Sequence, residues 1–406
     1  MGVVTPSARR PRPAMIRRVP IRCLAAGLVG GTVALAGLAA PVAPAGAWPG
    51  LATKARAAAS PRASTTGQAV PIRQGLALIL REDQALAGGG AEGGAELPLE
   101  RAAGGDTPVL PFEVAVTRAG QARPFSLRLL LDTGAASTMV TPELAARLGL
   151  ATTPLANGAL ALAGGGSDCA GLQPQRTRLP DLLLGRGGPN RLLLRGVEAL
   201  VLPVAALPPG LDGVLGAPSL RRLPILIDPI AGRLVLGPAA PAAFNASRHP
   251  VASAPHHPDR SGALTVPLRW RQGVPLVGLT RHGARVDALA DSGAEGLFLS
   301  PALAARLEPV GPAEPLRLVG VCGEQRVERR RFRGLDLPGA AAARPATGTA
   351  TGTATATATA TVEGIVTDNP VFAALGVEAI AGQEWLRQHR QLWRLDLEPP
   401  QLLLLP

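Results

Sequence analysis

The stretches LLLDTGAASTMV at residues 129–140 and ALADSGAEGLFL at residues 288–299 decide how this sequence is interpreted. In each, an aliphatic run ends in Asp, then Thr or Ser, then Gly. Asp132 and Asp291 each lie nine positions before a Thr or Ser, which is followed by Pro, one variable residue and LAARL. This pattern predicts a buried strand, a tight turn and a short helix with a hydroxyl N-cap, present twice.

Two more blocks recur in the same order. LDGVLGAPSL at residues 211–220 corresponds to VEAIAGQEWL at 377–386. LIDPIAGRLVLGP at 226–238 corresponds to RLDLEPPQLLLLP at 394–406. An internal duplication explains all the matches. Because short aliphatic runs alternate with Gly, Pro, Asn and Asp, both copies are predicted to be mostly β.

At 406 residues the chain exceeds what one core usually organises, so two lobes are expected. Residues 48–105 are rich in Ala, Gly, Ser and charged residues and are interpreted as a linker or pro-like segment, largely disordered. The predicted organisation is a signal peptide (1–47), this segment (48–105), a first lobe (106–238), a connector (239–262) and a second lobe (263–406).

The N-terminus has the pattern of an export signal. Residues 1–47 contain six arginines and no acid, then an Ala/Gly/Leu-rich run and the tripeptide Ala45-Gly46-Ala47. Cleavage is expected, which predicts a periplasmic or secreted protein; an uncleaved membrane anchor is the alternative. Removal of this segment lowers the formal net charge from +12 to +6.

Composition argues against several other classes of protein. The one basic cluster, at residues 329–333, includes a single aromatic residue, Phe332, whereas nucleic-acid-binding faces interleave basic and aromatic side chains. The histidines and cysteines have no metal-ligand spacing. We therefore expect no nucleic-acid partner, no metal and no cofactor.

The duplicated Asp turns point to a specific chemistry. If the two lobes pack about a pseudo-twofold axis, Asp132 and Asp291 meet at the interface. Two carboxylates so close together share one proton, so one is a base while the other is an acid. Such a pair can activate a water against a peptide carbonyl and protonate the leaving nitrogen.

These residues resemble the retropepsin-like aspartic proteases. The resemblance rests on Leu130-Leu131-Asp132-Thr133-Gly134-Ala135 with Val214-Leu215-Gly216, and on Leu289-Ala290-Asp291-Ser292-Gly293-Ala294 with Ile380-Ala381-Gly382. It implies an all-β fold of two homologous β-barrel lobes related by a pseudo-twofold, with the active site at the lobe interface. Asp132 and Asp291 would be catalytic, and Thr133, Gly134, Ser292 and Gly293 would support the two loops.

The resemblance also implies flap hairpins over the site, for which residues 160–172 and 316–327 are the candidates. Cys169 and Cys322 fall in these two segments; they either form a disulfide across the cleft or are two unpaired thiols. Glu295, where the first lobe has Ala136, is expected to meet substrate backbone or an inter-lobe Arg, or to be a solvated turn acid.

The function predicted from these features is that of an aspartic endopeptidase acting on peptide or protein substrates. Because both lobes lie in one chain, a monomer is expected to hold a complete site, and membrane contact is expected only if the signal is uncleaved. The alternative is a non-catalytic module that binds peptide or protein with the same two-lobed fold.

Overall fold

The structure is a computed structural model that describes residues 72–73, 78–80, 85–118, 121–155, 160–162, 173–204, 206–246, 262–320, 323–339 and 361–406. These residues all belong to one compact unit, Thr66–Pro406. Most of them are in β-strands, so the predicted fold class is confirmed. The predicted signal peptide, Cys169 and Cys322 lie outside the described residues.

Among the described residues, the first half contains sixteen strands and three helices. They are β1 (Ile72–Arg73), β2 (Leu78–Leu80), β3 (Gly90–Pro98), β4 (Glu100–Arg101), β5 (Pro108–Arg118), β6 (Gln121–Asp132), β7 (Thr138–Val140), α1 (Pro142–Leu148), β8 (Thr152–Pro154), β9 (Leu160–Leu162), β10 (Gln175–Arg178), β11 (Leu182–Gly187), β12 (Asn190–Arg195), β13 (Glu198–Val201), β14 (Gly213–Gly216), α2 (Ala217–Leu220), β15 (Pro224–Asp228), β16 (Arg233–Leu236) and α3 (Ala240–Ala246).

The second half contains the remaining elements. They are β17 (Leu264–Arg271), β18 (Val274–Arg281), β19 (Ala284–Ala290), β20 (Leu297–Leu299), α4 (Pro301–Ala304), β21 (Glu308–Gly320), β22 (Gly323–Arg333), β23 (Val362–Val366), α5 (Pro370–Leu375), β24 (Ala379–Ala381), α6 (Gln383–Leu386), β25 (Arg390–Arg394) and β26 (Gln401–Leu405).

The same strand pairing surrounds both Asp turns. In the first half β14 lies parallel to β6 and antiparallel to β7. In the second half β24 lies parallel to β19 and antiparallel to β20. Each Asp turn is therefore enclosed between its own strand and a strand from far downstream, which fixes the position of the turn from two sides.

The short helices after the turns begin as the sequence predicts. Thr141 caps α1 by accepting a hydrogen bond from the Leu144 amide, and Ser300 caps α4 by accepting one from the Leu303 amide, each at 3.1 Å. Among the described residues, no helix has the length and apolar character needed to cross a membrane.

A six-stranded antiparallel sheet joins the two halves. Its order is β3, β16, β15, β25, β26 and β17, so three strands of the first half are joined to three strands of the second by the backbone hydrogen bonds between β15 and β25. Helix α3 packs on this sheet through Phe244, which is fully buried with Leu226 and Leu392. The largest hydrophobic core extends from this sheet into both lobes and is mainly aliphatic.

The prediction that residues 48–105 are largely disordered is wrong for residues 85–105. Strand β3 pairs with β12 on one side and β16 on the other, so the first lobe begins well before residue 106. Its glycines, which suggested disorder, allow close backbone approach: at Gly93, with φ of 82°, a Cβ would lie 2.1 Å from the Arg191 carbonyl oxygen. Backbone pairing rather than side-chain burial holds this strand.

Candidate active site

Both predicted aspartates lie at the ends of buried strands and are themselves fully buried. Strand β6 ends at Asp132, and Asp291 directly follows β19. The exposed fraction of each residue is 0%. The aliphatic side chains of these strands fill the core, which carries the strand ends, and the Asp with them, into the interior.

Backbone amides within each turn bind the carboxylate of that turn. Asp132 Oδ1 accepts hydrogen bonds from the amides of Gly134 at 2.9 Å and Ala135 at 3.0 Å. Asp291 Oδ1 accepts one from the amide of Gly293 at 2.8 Å, and the Ala294 amide also bonds to this carboxylate. The turns thus supply donors to two groups that have lost their contact with water.

The turn glycines bring the two carboxylates together. A Cβ at Gly134 would lie 2.3 Å from Asp291 Cγ, and a Cβ at Gly293 would lie 2.3 Å from Asp132 Cγ. Each glycine therefore packs against the carboxyl group of the opposite turn, and any side chain there would force the two turns apart.

The hydroxyls of Thr133 and Ser292 tie the turns to each other reciprocally. The Thr133 hydroxyl donates to the Ala290 carbonyl oxygen at 2.8 Å and accepts from the Ser292 amide at 3.0 Å. The Ser292 hydroxyl donates to the Leu131 carbonyl oxygen at 2.9 Å and accepts from the Thr133 amide at 3.0 Å. All four bonds are buried and cross between the two halves.

The glycines of the two downstream blocks, Gly216 and Gly382, pack against the backbone that follows each Asp turn. A Cβ at Gly216 would lie 2.5 Å from the Ser137 carbonyl oxygen, and one at Gly382 would lie 2.3 Å from the Ala294 carbonyl oxygen. In the second half the Ala381 carbonyl oxygen accepts from the Asp291 amide at 3.0 Å. Ala381 is a small residue in the predicted hydrophobic block, and it supports the second Asp turn through its backbone carbonyl group rather than through its side chain.

Sequence reasoning missed Gln383. Its side-chain amide donates to the Ser292 carbonyl oxygen at 2.7 Å, in a buried position directly behind the second turn. The corresponding residue after the first downstream glycine is Ala217, which has only its backbone to offer. No feature of the sequence distinguished Gln383 from an ordinary surface glutamine.

Glu295 is half-buried and is not a solvated turn acid; it binds the backbone of the first half. Its carboxylate accepts hydrogen bonds from the amides of Asp106 at 2.8 Å and Thr107 at 3.1 Å, and from the Thr107 hydroxyl at 2.6 Å. Thr107 is buried and belongs to the first half. Glu295 is thus a latch that joins the second Asp turn to the backbone of the opposite half.

The pKa of Asp291 is raised by its surroundings. Burial raises the pKa of Asp291 well above its usual range, and the charge of the neighbouring Asp132 and a hydrogen bond with it raise this pKa further. The amides of Gly293 and Ala294 oppose the rise without cancelling it. Two carboxyl groups this close titrate as a coupled pair and share one proton.

A long hairpin from the second half covers this centre. Strands β21 and β22 form it, and they include residues 316–320 and 323–327 of the predicted flap. Leu318 packs in a cluster with Ala294 and Ala136, and Val319 packs against the cluster that contains Ala135. The hairpin therefore contacts the neighbourhood of both turns. Of the other predicted flap, 160–172, only β9 is described.

Replacing Ser292 by Ala should destabilise the protein by about 2 kcal/mol or more, because the Leu131 carbonyl and the Thr133 amide lose their buried partner. Ser292→Thr keeps the hydroxyl and should be tolerated far better. The matched control is Ser300→Ala, which removes an N-cap and should cost about 1 kcal/mol. Urea denaturation measures all three; equal losses at the two serines would contradict the proposed role of Ser292 between the lobes.

Replacing Glu295 by Gln should lower the free energy of unfolding by about 1–3 kcal/mol, because an amide group then faces the amide donors of residues 106 and 107. The control is Glu308→Gln at the exposed ion pair with Arg333, which should change the stability by less than about 1 kcal/mol. If both variants unfold at the same urea concentration as the parent, the latch is not a stabilising contact.

The raised pKa of Asp291 makes stability depend on pH in a definite direction. The folded state binds this proton more tightly than the unfolded state, so the contribution is full below about pH 4 and is lost as pH rises through the raised pKa. Asp291→Asn should flatten this decline above about pH 4 and should be the more stable protein at neutral pH. Asp181→Asn at the surface is the control, and an unchanged pH slope in Asp291→Asn would contradict the assignment.

Comparison with known proteins adds the following findings. Residues 114–218, about a quarter of the chain, match the sequence family described as "Aspartyl protease". Basic 7S globulin from soybean is 11% identical with a TM-score of 0.41, covering 77% of this chain and 96% of that one. The aspartic proteinase from Irpex lacteus is 13% identical with a TM-score of 0.36, covering 77% and 97%. At such scores neither likeness carries an argument, and no curated protein matches the sequence.

The match to the family includes the first Asp turn, its Thr and Gly, and the downstream strand β14. It does not extend to the second turn. The resemblance seen in the sequence is therefore confirmed over residues 114–218, which match the aspartyl protease family.

Proposed function

We propose that this chain is an aspartic endopeptidase in which Asp132 and Asp291 form one catalytic pair. The observation that carries the proposal is the reciprocal arrangement of the two Asp turns. Each carboxylate is fully buried, receives amides from its own turn and packs against the glycine of the other. Two carboxyl groups kept this close, with one of them protonated, can act as general acid and general base on the same peptide bond of a substrate.

In this proposal Asp132 is the base and Asp291, whose pKa is raised, is the acid. Asp132 takes a proton from water while the water oxygen attacks the peptide carbonyl carbon, and Asp291 gives its proton to the carbonyl oxygen. The tetrahedral product then collapses: Asp132 returns a proton to the leaving nitrogen, the carbon–nitrogen bond breaks, and Asp291 recovers a proton from the hydroxyl group. Both residues end in their starting states, with one water consumed.

The substrate of this reaction is a peptide or protein in extended form. One chain supplies both carboxyl groups, so a monomer is sufficient for activity in this proposal. The export signal proposed at residues 1–47 would place the enzyme in the periplasm or outside the cell. Amino-terminal sequencing of the exported protein tests this, because a first residue near 48 indicates cleavage and a first residue near 1 indicates an anchor.

Either Asp132→Asn or Asp291→Asn should lower cleavage of an unstructured protein by at least about 10²-fold, because each removes one proton carrier. New amino termini are counted for the chain beginning at residue 48 and for each variant, with Asp181→Asn as the surface control. The parent should work best from acid to near-neutral pH and lose activity as the shared proton is lost.

Three outcomes would contradict this proposal. Equal cleavage by the parent and both Asn variants would assign the activity to a contaminant. Activity that stays constant into alkaline pH would exclude a pair that shares a proton. Tight binding of peptides without cleavage at any pH would favour the peptide-binding module instead.

A further inference from the structure

Helix α6 places one buried glutamine against the second Asp turn. Gln383 begins this helix, directly after Gly382, and its exposed fraction is 3%. Its backbone amide donates to the Ala294 carbonyl oxygen at 2.7 Å, and its side-chain amide donates to the Ser292 carbonyl oxygen, also at 2.7 Å. Two carbonyl groups of the turn are therefore held by a single residue.

The first half has the backbone part of this arrangement without the side-chain part. Ala217 occupies the position that Gln383 has in the second half. Its amide donates to the Ala135 carbonyl oxygen at 2.8 Å, but its side chain carries no donor. The backbone bond is thus enough to close an Asp turn of this kind, so the side chain of Gln383 adds something that the first turn does without.

The added hydrogen bond reaches the carboxyl group of Asp291 through one peptide unit. The Ser292 carbonyl group belongs to the same peptide unit as the Gly293 amide, and that amide donates to Asp291 Oδ1 at 2.8 Å. Hydrogen bonds in a chain polarise one another, so a donor on the carbonyl oxygen of a peptide unit makes its N–H group a stronger donor. A path of two hydrogen bonds therefore runs from the Gln383 side chain to the Asp291 carboxyl group.

The charges around Asp291 can be separated from this effect. The neighbouring charge that acts on Asp291 is that of Asp132. Charged groups on the surrounding elements are engaged with other partners: Glu384 with Arg387 on helix α6, Arg317 with Glu324 on the covering hairpin, and Glu295 with the backbone of the first half. A glutamine is uncharged at every pH, so a neutral substitution at residue 383 changes a hydrogen bond without changing the charge of the site.

We propose that Gln383 is a positioning residue for the acid–base pair, which strengthens the Gly293 amide as a donor to Asp291 and so sets the pH at which the pair loses its shared proton. A stronger donor favours the ionised form of the carboxyl group that it faces. An acid that holds its proton less tightly gives it up more readily to a carbonyl oxygen. This inference rests on the proposed function, because it assigns the residue that adjusts the acid of that reaction.

Removing the donor should shift the alkaline limit of activity upward. In Gln383→Met the side chain keeps a similar volume but has no N–H group, so the Gly293 amide becomes a weaker donor and Asp291 holds its proton to higher pH. A loss of about 10–30% of the strength of a hydrogen bond to a charged group corresponds to a shift of about 0.3–0.7 pH unit. The acid limit should move less, because Asp291 is protonated on both sides of it.

Gln391 provides a matched control. It is also buried, and its side-chain amide donates to the Leu386 carbonyl oxygen at 2.7 Å, the same distance as at Gln383. It lies on β25 in the six-stranded sheet rather than behind an Asp turn. Gln391→Met should therefore lower the stability at least as much as Gln383→Met and leave the pH profile unchanged.

The experiment compares the parent chain with Gln383→Met and Gln391→Met. The rate of cleavage of an unstructured protein is measured across pH. The titration of Asp291 is followed by the NMR signal of its isotope-labelled carboxyl carbon, which is identified by its absence in Asp291→Asn. Thermal unfolding shows that each variant is folded. Gln383→Ala, which copies the residue of the first half, replaces Gln383→Met if Met is not accommodated, and the same shift is expected of it.

The expected result is an upward shift of both the alkaline limit and the Asp291 titration in Gln383→Met, with neither shifted in Gln391→Met. Coincident pH profiles and titrations in the two variants would overturn the inference and leave Gln383 a structural residue. An Asp291 titration that shifts only in Gln383→Met, in a protein that cleaves nothing at any pH, would support the action of Gln383 on Asp291 and refute the proposed protease function.

Discussion

Two carboxyl groups buried against each other are the constraint on which the rest of this structure depends. Charges of the same sign repel strongly where the dielectric constant is low, and each also loses its hydration. The interior must therefore supply a proton, hydrogen-bond donors and a rigid frame at one place. The raised pKa of Asp291 supplies the first, since the retained proton removes one charge, and the amides of the two turns supply the second.

The frame has to hold two turns from different halves of the chain together against this repulsion. The hydroxyls of Thr133 and Ser292 do so directly, and Glu295 adds a tie on one side only. At a greater distance, the six-stranded sheet joins the halves through backbone hydrogen bonds. These ties act at different distances from the carboxyl groups, so a displacement at one is resisted by the others, and proton transfer depends on positions held to within about 1 Å.

Sequence reasoning located the parts of this site that are encoded by neighbouring residues. Asp132, Asp291 and the residues next to them were predicted because a strand, a turn and a capped helix leave a short, repeated signature. The latch was not predicted in its actual form, because Thr107 lies 188 residues from Glu295 and nothing local marks the pair. Strand β3 was missed for a related reason: its glycines are required by neighbouring backbones, and composition alone cannot distinguish that requirement from disorder.

The burial that controls the protonation of Asp291 also creates a problem of access. The turns are tied so firmly that opening has to come from the cover, where Leu318 and Val319 pack by side-chain contact and β1 pairs by backbone. Leaving a strand edge bare is costly, because its amides and carbonyls lose their protein partners. Exchanging one extended chain for another keeps the number of such bonds nearly constant, so the free-energy difference between the two occupants is small. A peptide that replaced β1 on the edge of β21 would therefore re-form the backbone hydrogen bonds that opening removes.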